Sequence, residues 1–205
     1  MKTYVLLLAA ALGCGRGSMR AATPAPGTSA APSPRSGSST LDELMRGDLA
    51  DDHAISWSAA RRLTWRDFQG TPPEDGSEGA MTSYTLYSAW KCRGAIFEFR
   101  VIAGFRPRQS WVKAVVLNDT TQRRTVLGHE QTHFDLAEVH ARTMRRAFRG
   151  LERPCAMADG ELSRLAQRLI QAEKAEQRRY DAETNHGLRA SQQAAWSAAV
   201  ARRLR

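Results

Sequence analysis

Two histidines four residues apart, His129 and His133, bracket Glu130, and the types and spacing of these side chains suit one kind of chemistry. A helical turn of about 3.6 residues returns both imidazoles to one side, where each can offer a ring nitrogen to a tetrahedral Zn²⁺ at roughly 2.0–2.1 Å. Glu130 points to the side of that pair, within reach of a water that zinc acidifies to a pKa of about 7. The H-E-x-x-H spacing therefore predicts metal-assisted attack on a carbonyl, with Glu130 as the general base.

A helix must carry this motif, and the flanking sequence predicts one over residues 125–148. Asp119 followed by Gln122 resembles a capping box, while Gly150 and Pro154 supply a stop. Val126, Phe134, Ala137, Ala141, Met144 and Phe148 recur at helical spacing, with Glu130 on the border of their stripe, which places the motif at the edge of a core. Two histidines and a carboxylate at such an edge need a partner, because burying polar groups without one is costly. A metal ion provides it.

Catalytic zinc usually takes three protein ligands plus water, so two histidines are not enough. A second helix is predicted over 159–185, with Asp159 as N-cap and Gly187 as stop, and the short connection 150–158 makes it the antiparallel neighbour of the first. Its C-terminal half then lies near His129, which selects Glu173, Glu176, Asp181 and, just beyond the helix, His186. Helical phase alone favours Glu176. His140 stands about 10 Å further along the first helix and cannot share the metal; it reads as an interior histidine or as one that supports the ligands from behind. Asp181 and His186 remain as alternative third ligands, either being able to serve the other's imidazole or carboxylate as a supporting group. Tyr180 is a candidate hydrogen-bond donor to an oxyanion, or a core tyrosine.

The rest of the chain predicts an α+β fold, in which a small antiparallel or mixed sheet is followed by the active-site helix and a C-terminal helical hairpin. Residues 41–50 read as a short helix, and 81–90 and 95–103 as strands of a hairpin turning near 91–94. Residues 110–117 read as a third strand with Trp111 inward, and 192–204 as a closing helix capped by Ser191 that docks Trp196 and Val200. The strand at 95–103 is a candidate for holding a substrate backbone by strand addition.

At the N-terminus, residues 1–20 read as an export signal. Met1-Lys2-Thr3 precedes an apolar run at 4–12, too short for a membrane span, and the sequence before Cys14 loosely matches a lipoprotein cleavage box, so membrane anchoring through a lipidated Cys14 stands beside free secretion. Residues 21–40, with four prolines among Ala, Gly and Ser, form a linker that cannot bury enough apolar surface to order itself, and 41–205 is the folded domain. The address is therefore extracytoplasmic. In an oxidising compartment the two remaining cysteines, Cys92 and Cys155, are expected to form a disulfide. The net charge of +9 comes from thirty basic residues, but they are scattered along the predicted helices without an aromatic-and-basic recognition motif, which argues against nucleic acid as a partner.

Several strings converge on one family. The segment Leu63 to Pro72 (LTWRDFQGTP), Ser110-Trp111-Val112, HEQTHFDLAE at 129–138, YDAETNHG at 180–187 and the stretch from Gln193 to Trp196 resemble a bacterial domain of unknown function whose members are described as predicted secreted zinc-dependent proteases. The resemblance spans residues 55–204 and implies a zincin-like arrangement. It concentrates at Tyr180 to Gly187, which favours His186 as third ligand with Asp181 behind it. The expectation is a zinc metallopeptidase acting on a protein or peptide, including cell-wall cross-bridge peptides. The alternative is a non-catalytic envelope binding or assembly protein that keeps the metal for stability; a closed four-ligand site would mark it.

Overall fold

The computed structural model describes residues 40–205 and, as backbone, two short strands, β1 (Thr3–Leu6) and β2 (Ala9–Ala10), both antiparallel to the strand at Tyr84–Arg93. Those two strands and Thr40 apart, the expected export signal with Cys14 and the expected linker lie outside the described residues. No helix among the described residues is long and apolar enough to cross a membrane.

Thr40 and Glu43 close a capping box at the start of α1 (Leu41–Asp51): the Glu43 N–H donates to Thr40 Oγ1 at 3.2 Å, and the Thr40 N–H to Glu43 Oε2 at 2.7 Å. After β3 (Ile55–Ser56), a 3-10 turn at Trp65–Asp67 and β4 (Ala80–Met81), the chain enters the long hairpin of β5 (Tyr84–Arg93) and β6 (Ile96–Phe105). Its register pairs Tyr84 with Phe105 and Arg93 with Ile96. β3 joins the far side of β6 at Gly104 and Phe105. β7 (Trp111–Val112) pairs with β4, and α2 (Ala114–Asn118) follows it directly. The expected third strand at 110–117 is thus two residues of strand and a short helix.

Alternation along the hairpin sets the layers. Tyr84, Leu86, Trp90, Val101, Ala103 and Phe105 face the large core, while Tyr87, Ala89 and Ile102 face Leu41 and Met45 of α1. β5 is buried on both sides as a result. Gly104 permits the α1 layer to close, since a Cβ there would stand 2.6 Å from the Tyr87 ring and 3.2 Å from Leu49. Along the free edge of β6, where 95–103 was expected to offer strand addition, the Phe99 and Val101 carbonyls accept from the guanidinium groups of Arg100 and Arg145.

Across the large core lies α3 (Thr120–Arg149), whose N-cap Asp119 accepts from the N–H groups of Thr121 and Gln122 at 2.8 and 2.9 Å. Phe148 fixes its C-terminal end on the sheet, with edge-on ring contacts to Trp90, Phe97 and Phe99 at 5.4–6.0 Å, each worth roughly 0.5–1.5 kcal/mol beyond area burial. Phe134, packed on Phe105 at 5.8 Å, does the same beside the histidines. Residues 57–65 strap the outer side of α3: Trp57 Nε1 donates to Asp135 Oδ1 (2.9 Å), the Leu63 N–H to Gln131 Oε1 (2.7 Å) and Trp65 Nε1 to the Arg123 carbonyl (3.0 Å).

α4 (Glu161–Thr184) returns antiparallel along α3 and begins after Gly160 in a left-handed conformation, not after Asp159. α5 (Ala190–Arg203) then packs Trp196 and Val200 against Leu136, Val139 and Tyr180. Cys92 and Cys155 form a disulfide, with Cα atoms 5.7 Å apart, that ties β5 to the loop between α3 and α4. The two residues are separated by 63 positions, a closure worth roughly 4 kcal/mol in chain entropy. Reduction, or the pair of changes Cys92→Ser and Cys155→Ser, is expected to lower the thermal midpoint by about 10 °C without moving His129 or His133; an unchanged midpoint in calorimetry would show the bridge to be dispensable.

Candidate metal centre

Residues 129–133 are all buried although every one is polar, an arrangement that requires internal partners. Their side chains divide the work by helical position. Gln131 and Asp135 face the 57–65 strap, joined to each other at 2.8 Å. Thr132 Oγ1 donates to the Gly128 carbonyl and meets Ser197 Oγ of α5 at 3.1 Å. His129 and His133 face α4, with their Nε2 atoms 3.1 Å apart.

Asp181 supplies the third vertex. Its Oδ1 lies 2.9 Å from His133 Nε2 and 3.3 Å from His129 Nε2, and the three side chains offer ligand atoms that all lie within 4.8 Å of one another. Asp181 Oδ1 is buried and accepts no aligned hydrogen bond among the described residues. Two ring nitrogens and one carboxylate oxygen converging in this way match the donor set and ligand number of a zinc site that keeps a coordination position open. Burial alone would raise the Asp181 carboxyl, but the two imidazoles outweigh it and hold the group well below the ordinary carboxylate range. Burial alone would lower His133, yet Asp181, Glu130 and Gln177 together push it up to about 9. Both shifts express the mutual attraction between the Asp181 carboxylate and the two imidazoles.

Glu130 is buried beside the pair, and its backbone carbonyl accepts from Thr82 Oγ1 at 3.3 Å. Tyr180, fully buried, stacks on the His129 ring with centroids 4.8 Å apart. Its hydroxyl lies 2.7 Å from Gln193 Oε1 and 3.2 Å from the His129 carbonyl, so the group offered by sequence as an oxyanion donor is turned toward the protein interior.

The chain leaves α4 through three successive left-handed residues, Asn185, His186 and Gly187, with φ of 48°, 53° and 83°. For the first two this conformation costs about 1 kcal/mol each. Three hydrogen bonds pay for it: the His186 N–H reaches the Asp181 carbonyl (2.9 Å), the Gly187 N–H reaches Thr184 Oγ1 (3.2 Å) and the Arg189 N–H reaches the Thr184 carbonyl (2.8 Å). The turn presses Gly187 onto His129, where a Cβ would stand 3.1–3.2 Å from the ring, and it aims α5 back at the site. His186 is thereby carried to the rim, with its side chain 58 % exposed and Nδ1 3.9 Å from Asp181 Oδ1.

The other sequence candidates serve elsewhere. His140 Nε2 meets Glu176 Oε2 at 2.6 Å, and Arg203 holds the same carboxylate at 2.6 and 3.0 Å. Glu173, buried beneath the sheet, accepts from the Tyr84 hydroxyl. Two residues that sequence reasoning passed over touch the histidines directly: Gln177 Oε1 lies 2.7 Å from His133 Nδ1, and Gln193 Oε1 lies 3.0 Å from His129 Nδ1. Gln177 stands one turn before Asp181 on the same face of α4, a spacing that could have marked it.

A domain of the family described as "Bacterial protein of unknown function (DUF922)" is found at residues 105–187, which takes in the whole of α3, α4 and the turn that follows. No curated protein matches the chain. No solved structure matches it either.

Proposed function

We propose that this protein is an extracytoplasmic zinc-dependent peptidase with a zincin-like arrangement of helix and sheet. The observation that supports it best is the convergence of His129 Nε2, His133 Nε2 and Asp181 Oδ1 beside the buried Glu130. Zinc held by these three supplies a Lewis acid and lowers the pKa of a water at the open position. Glu130 takes the proton from the attacking water and hands it to the leaving amine. Asp181 would add one negative charge to two neutral imidazoles, so a divalent ion held there would keep a net positive charge able to polarise a peptide carbonyl. Burial of the motif beside the core excludes bulk water and strengthens each of these interactions. The substrate class is a polypeptide or a cell-wall peptide, and export followed by release or lipidation at Cys14 brings the domain to it.

Chelation tests the reading. Treatment with a strong chelator, followed by its removal, is expected to abolish hydrolysis of casein or of a quenched peptide library, and stoichiometric Zn²⁺ is expected to restore it. Hydrolysis that persists after the metal is gone would rule this function out.

A further inference from the structure

We propose that Gln177 and Gln193 are the positioning residues of this centre: each holds one imidazole by its Nδ1, so that Nε2 turns to face Asp181. The inference rests on the metal reading above but is carried by hydrogen bonds that do not need the metal.

Gln177 is fully buried and makes two contacts with the same residue. Its Nε2 donates to the His133 backbone carbonyl at 3.0 Å, and its Oε1 lies 2.7 Å from His133 Nδ1. A carbonyl only accepts, so the amide orientation is fixed by the first contact. Its oxygen must then face the ring, and His133 must carry a proton on Nδ1. That leaves Nε2 as the atom available to a cation, and it is the atom 2.9 Å from Asp181 Oδ1. Glu173, also buried on α4, accepts from the Tyr84 hydroxyl of β5.

Gln193 repeats the device from another helix. Its Oε1 lies 3.0 Å from His129 Nδ1 and also accepts from the Tyr180 hydroxyl at 2.7 Å, while its Nε2 donates to Ser197 Oγ at 3.1 Å. Tyr180 closes the frame by stacking on the ring that Gln193 holds. One imidazole is thus set by α4 and the other by α5, and the left-handed turn at 185–187 exists between them.

Neutral amides suit this place. Glu130 and Asp181 already put two carboxylates next to the histidines, and a carboxylate in each glutamine's position would add two more buried negative charges. A glutamine fixes the tautomer without adding charge, at the expense of the extra basicity that a carboxylate partner would lend the ring.

The test uses Gln177→Met and Gln193→Met, which keep side-chain length and remove the acceptor, with Gln193→Glu as the variant that keeps it. Two readouts are taken on the mature chain: the downfield, slowly exchanging Nδ1–H resonances of the two histidines in chelator-stripped protein, and Zn²⁺ affinity by competition with a chromophoric chelator. Each Met variant is expected to lose the protected proton of its own histidine only, and to bind zinc about 10–100-fold more weakly. Gln193→Glu, which keeps the acceptor, is expected to keep the His129 proton. Folded Met variants with both protons protected and unchanged affinity would overturn the proposal. Should Gln177→Met not fold, Gln193→Met decides, since Gln193 is 9 % exposed and borders solvent. Wild-type protein that binds no zinc yet shows both protons would remove the metal reading and leave the two hydrogen bonds standing; protons missing from wild type would remove this inference whatever the metal does.

Discussion

Replacing Glu130 by Gln is expected to leave zinc binding intact while peptide hydrolysis falls about 10²–10⁴-fold, the range that a positioned general base supplies. The two outcomes separate because Glu130 is not among the converging ligand atoms: His129, His133 and Asp181 hold the site, and Glu130 lies beside them. The fold should tolerate the change. The side chain keeps its length, and the contact that ties position 130 to the sheet runs from Thr82 to the backbone carbonyl, which the substitution does not touch. Metal content by atomic emission and turnover of a quenched peptide measure both sides. A variant that hydrolyses as fast as wild type would take Glu130 out of the mechanism and reopen the reading of this chain as a metal-stabilised binding protein.

The features legible in the sequence are those in which a local rule and the tertiary structure agree. Asp119 caps α3, Phe134 and Phe148 lie on the stripe that meets the sheet, and residues 91–94 border the hairpin turn, as periodicity and turn chemistry require. The pairing of Cys92 with Cys155 follows from there being no other even partner in the folded part. Where the reading slipped, a local preference was overridden. Residues 114–117 are apolar and half of them are β-branched valines, which favours a strand, yet β4 offers pairing only to Trp111 and Val112. The remainder turns into a short helix that buries Val116 against Gly79 and leaves Val115 and Leu117 at the surface. The start of α4 is a similar case, because a left-handed Gly160 is a better entry for this chain path than the side-chain cap of Asp159. The glutamines at 177 and 193 carry little signal of a site role for a chemical reason. An uncharged amide is ordinary on a helix surface, and only the neighbouring helices turn these two inward.

The sequence leaves the third ligand ambiguous for a geometric reason, and the second large prediction rests on Asp181 in that role. Asp181 and His186 flank the end of α4, and a sequence cannot say how far past its last turn a helix end rotates its residues. Three left-handed residues end α4 at Thr184, keep Asp181 on the face of Gln177 and Tyr180, and swing His186 outward to a largely exposed position. Asp181→Ala is therefore expected to weaken zinc binding beyond the 10–100-fold that loss of a mere supporting partner produces, and to abolish hydrolysis with it. Asp181→Asn, which keeps the shape and removes the charge, should fail in the same way and so excludes a packing defect as the cause. His186→Ala should stay within about threefold of wild type in affinity, because its ring stands 3.9 Å from the Asp181 oxygen and outside the converging triad. If His186→Ala instead lost the metal while Asp181→Asn kept it, the roles would be exchanged, and the turn at 185–187 would have to unwind on loading to bring the imidazole in. Competition with a chromophoric chelator, read on all three variants together with their thermal midpoints in metal-free buffer, distinguishes the two assignments.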